Sequence, residues 1–323
     1  MARAEGVATF TINQLAAFVA VADVGTISGA AQQLHLSASA LSANLTELER
    51  ALHTQLLTRQ RAKGVQLTPT GELLVPRARL LLHQALELEA DVRGERGASG
   101  VVRLGCYPSL APTMLPPLIT GLAQSQPEIH LEVTEATQDQ LTASLEGGLL
   151  DAAIMYDLDL APTWRRASLA LLTPLVVLPG DHPLAADGGA VHLADLHADP
   201  LVLLDAPPSS AHALNCCAIA GFGPRIGYRA RTYETARAFV GRGLGWTILL
   251  QRPSADVTYE GLPVAVREIA TPGIEPVSVD VVWHPDSLLN RATRTFLTEA
   301  VRLTARHLRS GGIRNGASTE IQR

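Results

Sequence analysis

The sequence predicts an α/β protein built from a small helical unit with a β-hairpin, one long helix, and two lobes of alternating strands and helices. Apolar residues recur at helical spacing through the first fifty residues, and a heptad repeat of apolar residues then runs to about residue 93. Beyond Val101, strand-like and helical segments alternate. At 323 residues the chain is long enough to form two or three separate cores.

The composition indicates an ordinary globular protein. Hydrophobic residues make up 47% of the chain and charged residues 18%, which excludes a disordered polypeptide. A net charge of -5 argues against a protein that coats nucleic acid with its whole surface, although a local basic patch stays compatible with it. The three cysteines form no disulfide framework, and no apolar run reaches the roughly 18 residues of a membrane span. We therefore expect a cytoplasmic protein with no membrane contact.

The first helix is predicted over residues 12–24, because its apolar residues fall on one helical face. The same segment, ending before Asp23, imitates a secretory signal. Helical spacing and the helical character of the next segment favour the helix. The apolar positions are Leu15, Phe18, Val19 and Ala22.

Two further helices are expected before residue 53. Ser28 is predicted to cap a short helix, and Ser37 the next one, after a turn at His35 and Leu36. The third helix has a leucine stripe and an opposite side of small polar residues, and this pattern fits two structures equally. One is a helix-turn-helix whose third helix enters the DNA major groove, and the other is a solvated helix of an ordinary bundle. The stripe is Leu41, Leu45, Leu48 and Leu52, and the opposite side is Ser39, Ala43, Thr46 and Arg50.

A basic hairpin is predicted directly after these helices. The segment "LLTRQRAKGVQLTPTG" contains two short extended runs around residues 62–64, with Arg59, Arg61 and Lys63 at the tip. From His53 to Leu80 there are five basic residues and one acidic residue. Such a wing beside a groove-binding helix would contact DNA phosphates and hold the register.

Thr68 and Pro69 are predicted to start a long helix that ends near Arg93. Its heptad seam indicates either a dimerisation helix or a helix packed on its own domain. Pro76 is expected to bend the first turns. The seam consists of Leu74, Ala78, Leu81, Ala85, Leu88 and Val92.

The remainder is predicted to form two lobes with parallel sheets and a ligand cleft between them. The first set of segments begins at "VVRLGC" and ends at "LLDAAIMYD", and the second begins at "PLVLLD" and ends at "GWTILL". The strand "VSVDVVW" and a terminal helix over residues 289–308 are expected to return to the first lobe.

Residues 12–305 together resemble the LysR-type transcriptional regulators of bacteria. The resemblance rests on "LAAFVAVADVGTISGAAQQLHLSASALSANLTELERAL" and its spacing to the wing "LLTR…GVQLTPTGE", with support from "LEGGLLDAAIMYD" and "LPGDHPLA". It implies an α/β chain with an N-terminal winged helix-turn-helix, a linker helix, and a two-lobed effector domain like the type 2 periplasmic binding proteins. The implied bounds are a DNA-binding domain over 10–69, a linker and dimerisation helix over 70–93, a hinge over 94–100, an effector-binding domain over 101–309 (lobe I about 101–172 and 277–306, lobe II about 174–275), and a disordered tail over 310–323.

The resemblance implies a transcription regulator, not an enzyme, that binds double-stranded DNA as a homodimer or homotetramer, responds to a small-molecule effector, and contacts RNA polymerase. Family members usually carry Gln and Pro after the capping serine and Arg or Lys further along, whereas Ala38, Ser39 and Ala43 stand here. Base reading is therefore expected to depend on DNA shape and on the wing. The DNA-binding candidates are Ser28, Ser37, Ser39, Ser42, Ala43, Thr46, Arg50, Arg59, Arg61 and Lys63.

The resemblance also points to loops at the cleft as the effector site. Short hydroxyl and amide side chains at helix starts suit a carboxylate or another small anion, although the same residues are equally suited to plain helix capping. The candidates are Ser109, Thr137, Gln138, Ser209, Ser210 and Thr232.

The sequence is also compatible with three other functions. An exported solute-binding protein would use the N-terminal segment as a signal, and an enzyme would use Cys106 as a nucleophile. A thiol-based redox sensor would use Cys216 and Cys217. The resemblance implies two second-lobe cysteines separated by several residues in the peroxide-sensing members of the family, whereas these two are adjacent. Ser209 stands at the position that matches the first of the two sensing cysteines. His192 and His197 lack the further ligands of a metal site, and we expect neither a metal nor a cofactor.

Overall fold

The structure is a computed structural model that describes residues 8–60, 64–92, 99–186, 188–252, 255–287 and 289–309. Its N-terminal unit contains three helices and an antiparallel hairpin, as the sequence predicts. Phe18, Leu41 and Leu48 are completely buried in the core of this unit. The elements are α1 (Ile12–Val24), α2 (Ile27–Gln33), α3 (Ala38–Leu52), β1 (Leu57–Gln60) and β2 (Gly64–Leu67).

The expected cap at Ser28 is wrong, because α2 begins at Ile27, two residues before the start that a cap at Ser28 requires. Thr26 is the N-cap residue, and its side-chain oxygen accepts a hydrogen bond from the Gly29 amide at 3.3 Å. Gly29 permits this close approach, since a Cβ at that position would lie 2.9 Å from the Thr26 hydroxyl oxygen. Ser28 is instead an exposed residue of the first helical turn.

The long helix α4 (Pro69–Val92) follows the hairpin directly. The Thr68 hydroxyl accepts a hydrogen bond from the Gly71 amide at 3.1 Å, which confirms the predicted start. Ala78 of the heptad seam is buried against the N-terminal unit, whereas Leu88 and Val92 are 66% and 80% exposed. The second half of the seam is thus apolar surface in the single chain.

The first lobe consists of a five-stranded sheet covered by helices. It contains β3 (Gly100–Cys106), α5 (Ala111–Ser125), β4 (Ile129–Glu135), α6 (Gln138–Glu146), β5 (Ala152–Tyr156) and β6 (Arg165–Leu172). The second lobe contains β7 (Leu175–Pro179), β8 (Leu201–Leu204), α7 (Ser209–Ile219), β9 (Ile226–Ala230), α8 (Tyr233–Gly241), β10 (Thr247–Leu249) and β11 (Val264–Glu268). The chain then returns to the first lobe through β12 (Val277–Trp283) and α9 (Arg291–Arg309).

The sheets are mixed, which corrects the expectation of parallel sheets. In the first lobe, with strand order β4-β3-β5-β12-β6, the β3 pairings are parallel and the β12 pairings are antiparallel. In the second lobe β8 and β9 are parallel, but β7 pairs with β10 and β11 in antiparallel fashion. The return of the chain from the second lobe makes β12 run against its neighbours.

Among the described residues, no helix combines the length and the apolar character needed to cross a membrane.

Candidate DNA-binding surface and effector site

The outward side of α3 is formed by small polar residues. The Ser37 hydroxyl caps the helix by accepting a hydrogen bond from the Ala40 amide at 3.1 Å, and lies 3.0 Å from the Ser39 hydroxyl. The Thr46 hydroxyl donates to the Ser42 carbonyl at 3.0 Å, within the same helix. Ser39, Ala43, Thr46 and Arg50 are all exposed, and Ser42 is half-buried. A flat side of this kind lets another macromolecule approach the helix backbone closely.

Arg50 carries the long basic side chain of this side of α3. Its guanidinium lies 2.6 Å from the Glu47 carboxylate, one helical turn away, and both side chains are largely exposed. An exposed pair of this kind contributes at most about 1 kcal/mol, so a phosphate could compete for the arginine.

The hairpin is held against the turn between α1 and α2. The Val65 amide donates to the Gly25 carbonyl at 2.9 Å. A Cβ at Gly64, where φ is +79°, would lie 2.6 Å from that carbonyl oxygen, so glycine is required there. The candidate residues Arg61 and Lys63 and the side chain of Arg59 lie outside the described part of the structure. The backbone of Arg59 pairs with Val65 in the hairpin.

A small cavity lies where the two lobes meet, with a volume of ≈ 10 Å³. That volume is about the lower limit for a single water molecule, so the lobes are closed on one another. Hydroxyl groups from both lobes line the cavity. The lining polar residues are Ser109, Tyr156, Ser209, His212 and Tyr233.

Hydrogen bonds join the two lobes around this cavity. The Tyr107 hydroxyl of the first lobe donates to the Ala206 carbonyl of the second at 3.0 Å and lies 3.3 Å from the Ser209 hydroxyl. The Ser109 and Tyr156 hydroxyls lie 2.9 Å apart within the first lobe. Burial raises the pKa of Tyr156 to about 12, so this phenol stays protonated and able to donate a hydrogen bond.

Gln251 is a central member of this network that the sequence reasoning missed. Its amide nitrogen donates to the Ser109 carbonyl at 2.6 Å, and its amide oxygen accepts from the Thr113 hydroxyl at 2.6 Å. The Tyr233 hydroxyl donates to the Gln251 backbone carbonyl. The available signal was a polar residue directly after the apolar segment "GWTILL".

The structure brings Ser109 and Ser209 of the predicted effector residues together, whereas the others lie apart from the cavity. Ser210 is half-buried in the first turn of α7. Thr137 caps α6, and the neighbouring Gln138 is buried, with its amide nitrogen donating to the Leu158 carbonyl at 2.6 Å. Thr232 is an exposed cap of α8 that accepts from the Thr235 amide at 3.3 Å.

The three thiols are buried and none faces solvent. Burial raises the pKa of Cys216 to about 11 and that of Cys217 to about 12, and it also raises the pKa of Cys106. The Cys216 sulfur lies 3.7 Å from the His212 ring, but burial lowers the pKa of that histidine, which favours its neutral form. No cationic partner therefore stabilises a thiolate through this contact.

Comparison with known proteins identifies both parts of the chain. Residues 12–72 match the model of the bacterial regulatory helix-turn-helix protein, lysR family, and residues 95–305 match the LysR substrate binding domain. A probable hydrogen peroxide-inducible genes activator of Mycobacterium avium is 37% identical over 254 residues, which cover 75% of this chain and 78% of that protein. The DNA-binding transcriptional dual regulator OxyR of Escherichia coli is 32% identical over 297 residues, covering 90% of this chain and 94% of its own.

Solved structures agree with these matches. The C-terminal domain of a probable LysR family transcriptional regulator from Rhodococcus sp. RHA1 is 52% identical, covers 62% of this chain and 98% of its own, and gives a TM-score of 0.61. HinK, a LysR family transcriptional regulator from Pseudomonas aeruginosa, is 28% identical and gives a TM-score of 0.60. The match covers 91% of this chain and 98% of the HinK chain. The predicted fold class is confirmed, and the chain belongs to the LysR family of DNA-binding transcription regulators, whose members bind small effector molecules and form oligomers.

Proposed function

We propose that this regulator reads DNA with the N-terminal half of α3 and the adjacent hairpin, and that a small anion opens and occupies the cleft between the lobes. The observation that carries the proposal is the hydroxyl-lined cavity, closed by hydrogen bonds that cross from one lobe to the other. The regulator would act in the cytoplasm as a dimer or tetramer and contact RNA polymerase, with the domain bounds that the sequence predicts.

The DNA-reading part of the proposal assigns different tasks to α3 and to the hairpin. Hydroxyl groups and Ala43 let the backbone of α3 approach the duplex, and Arg50 is the long donor on that side. Because short side chains cannot make bidentate contacts to guanine or adenine, specificity would arise from DNA shape. Phosphate attraction would come from Arg59, Arg61 and Lys63, and Ser28 would contact the backbone beside them.

The effector part rests on the chemistry of the cleft. Ser109, Tyr156 and Ser209 offer hydroxyl donors, and Ser209 and Ser210 begin an eleven-residue helix whose N-terminal amides favour negative charge. His212 is held neutral by burial, so hydroxyl and amide groups would have to supply the binding energy. A ligand of a few heavy atoms with a carboxylate fits these donors. Thr137, Gln138 and Thr232 would join the site only after the lobes have moved.

A thermal-shift screen with small carboxylates tests the effector part. A carboxylate present at a hundred times its dissociation constant is expected to add about 2.7 kcal/mol to the free energy of unfolding. The matching amides, which lack the charge, should give no shift. A Ser209→Ala variant should lose the shift selectively, with Ser287→Ala as the control, since Ser287 is half-buried like Ser209 but does not line the cavity. Equal shifts for acids and amides would contradict the proposal of an anion.

Thiol-based peroxide sensing is the second candidate, and the names of the relatives favour it. The pKa of about 11 at Cys216 and about 12 at Cys217 argues against it, because the thiolate is the reactive form. Peroxide sensing by these thiols would require a local opening that exposes them.

We expect the thiols of the folded protein to be inert to Ellman's reagent at pH 7.5. With a pKa of about 11, less than about one thiol in a thousand is ionised at that pH, and burial excludes the reagent. Reaction should accelerate only as the pH approaches 11 or when guanidinium unfolds the chain. Rapid modification of the native protein at pH 7.5, followed by a change in DNA affinity, would support the redox candidate.

A further inference from the structure

Arg79 of α4 connects three parts of the molecule. One guanidinium nitrogen pairs with the carboxylate of Asp23, near the end of α1, and another donates to the carbonyl of Gly147 in the first lobe. The arginine side chain is only 11% exposed. A planar guanidinium can serve two acceptors at fixed angles, so these contacts orient the three parts relative to one another.

The contact with the first lobe lies at the C-terminal end of α6. This helix ends at Glu146, and the carbonyl groups of its last turn carry partial negative charge, which favours a cation such as Arg79. The next turn is tight: Gly148 has a φ of +63°, and a Cβ there would lie 3.5 Å from the Pro76 backbone. The end of α6 thus meets the backbone of α4 as well as its arginine. Beside this contact, a crevice of ≈ 550 Å³ lies between α4 and the first lobe.

The opposite end of α6 carries the predicted effector residues Thr137 and Gln138. The side-chain oxygen of Gln138 is buried without a hydrogen-bond partner in the described part of the structure, so it can still accept a hydrogen bond. A helix of nine residues is about 13 Å long. It is packed firmly on β3, since a Cβ at Gly105 would lie 2.6 Å from the Leu141 side chain. A displacement at one end of α6 therefore reaches the other.

We infer that Arg79 is a positioning residue that fixes the orientation of the N-terminal unit on the first lobe, and that α6 links this contact to the cleft. The link from the cleft rests on the function proposed above, whereas the orienting role of Arg79 rests only on its contacts. Because its guanidinium is taken up by Asp23 and Gly147, we expect Arg79 to make no contact with DNA. It sets the angle at which α3 is presented.

Distance measurements between two spin labels test the inference. Labels at Gln33→Cys in α2 and Ala123→Cys in α5 occupy exposed positions, and the labelled chain is diluted with unlabelled chain so that distances within one chain dominate. The parent should give one narrow distance distribution. Arg79→Ala should broaden it about twofold, because the N-terminal unit is no longer oriented by the lobe. Arg77→Ala, which removes an exposed arginine of the same helix, should leave the distribution unchanged.

Two further variants distinguish a loss of orientation from a folding defect in Arg79→Ala. Arg79→Lys keeps the charge but cannot reach both acceptors in the same way, and Asp23→Asn keeps the shape but removes the ion pair. Both should broaden the distribution partially with an unchanged circular dichroism spectrum. A distribution as narrow as the parent's in Arg79→Ala and Asp23→Asn would overturn the inference.

DNA retardation separates this inference from the proposed function. Arg79→Ala should still retard a fragment of its upstream region, with an affinity within about threefold of the parent, because the DNA-facing residues are intact. If the parent itself fails to retard DNA, the proposed DNA surface is wrong, while the distance distributions still decide the role of Arg79. Loss of retardation in Arg79→Ala alone, with an unchanged distance distribution, would make Arg79 a DNA contact and overturn the inference.

Discussion

Replacement of Ala43 by glutamate is expected to abolish specific DNA binding, with the dissociation constant raised at least about a hundredfold. Ala43 is exposed on the outward side of α3, two turns from the cap at Ser37. If this side enters the major groove, the variant introduces a carboxylate among phosphates and into a space sized for a methyl group. Fluorescence anisotropy with a labelled promoter fragment measures the loss.

Ala218→Glu is the matched control for that variant. Ala218 is an exposed alanine in the last turn of α7 of the second lobe, so the variant places the same charge on an exposed helical position far from α3. Its DNA affinity should stay within about twofold of the parent, because a single distant surface charge is screened at physiological salt. Equal affinity of the parent and the Ala43 variant would exclude α3 from the DNA interface.

Leu88→Glu is expected to convert the oligomer to monomers and thereby to weaken DNA binding strongly. Leu88 belongs to the heptad seam of α4 and is 66% exposed in the single chain, together with Leu81 and Val92. A heptad seam is buried by a second helix in a coiled coil, and a buried unpaired carboxylate would oppose that packing. Two linked DNA-reading units bind much more tightly than one, so affinity falls with assembly. Light scattering coupled to size exclusion measures the mass.

Leu86→Glu provides an unusually close control. Leu86 is 65% exposed on the same helix but lies outside the seam, so the two variants change exposed area and charge alike. It should keep the mass and the DNA affinity of the parent. Monomers from Leu86→Glu together with intact oligomers from Leu88→Glu would place the interface on another face of α4.

The helical elements were predictable because their signals are local. The leucine stripe of α3, the cap at Ser37 and the Thr68 start of α4 each depend on residues within four positions of one another. The return of β12 and α9 to the first lobe was also anticipated. Hydroxyl residues stand at both positions 26 and 28, and the sequence alone does not show which of them precedes the helix. In the structure Thr26 accepts the capping hydrogen bond from the Gly29 amide, and Ser28 lies inside the first turn.

The parts that escaped the sequence depend on contacts between distant segments. Gln251 bonds to Ser109, which is 142 positions away, and Arg79 bonds to a carbonyl 68 positions away. The strands β6, β7 and β11 lack the regular alternation of buried and exposed residues that marks a half-buried strand. All residues of β7 are buried, and β6 and β11 are edge strands whose residues are exposed irregularly. Long-range pairing of this kind carries no signature in a single sequence.

Electrophoretic retardation of the regulator's upstream DNA at increasing salt is the most direct test of DNA binding through α3 and the basic hairpin. We expect binding at low salt, with an affinity that falls steeply and linearly on logarithmic axes, at a slope of about -0.9 for each phosphate neutralised. Charge reversal at Arg59 and Arg61 should reduce both the affinity and that slope. Binding that is indifferent to salt and to those two arginines, or no retardation of any genomic fragment at low salt, would contradict this expectation.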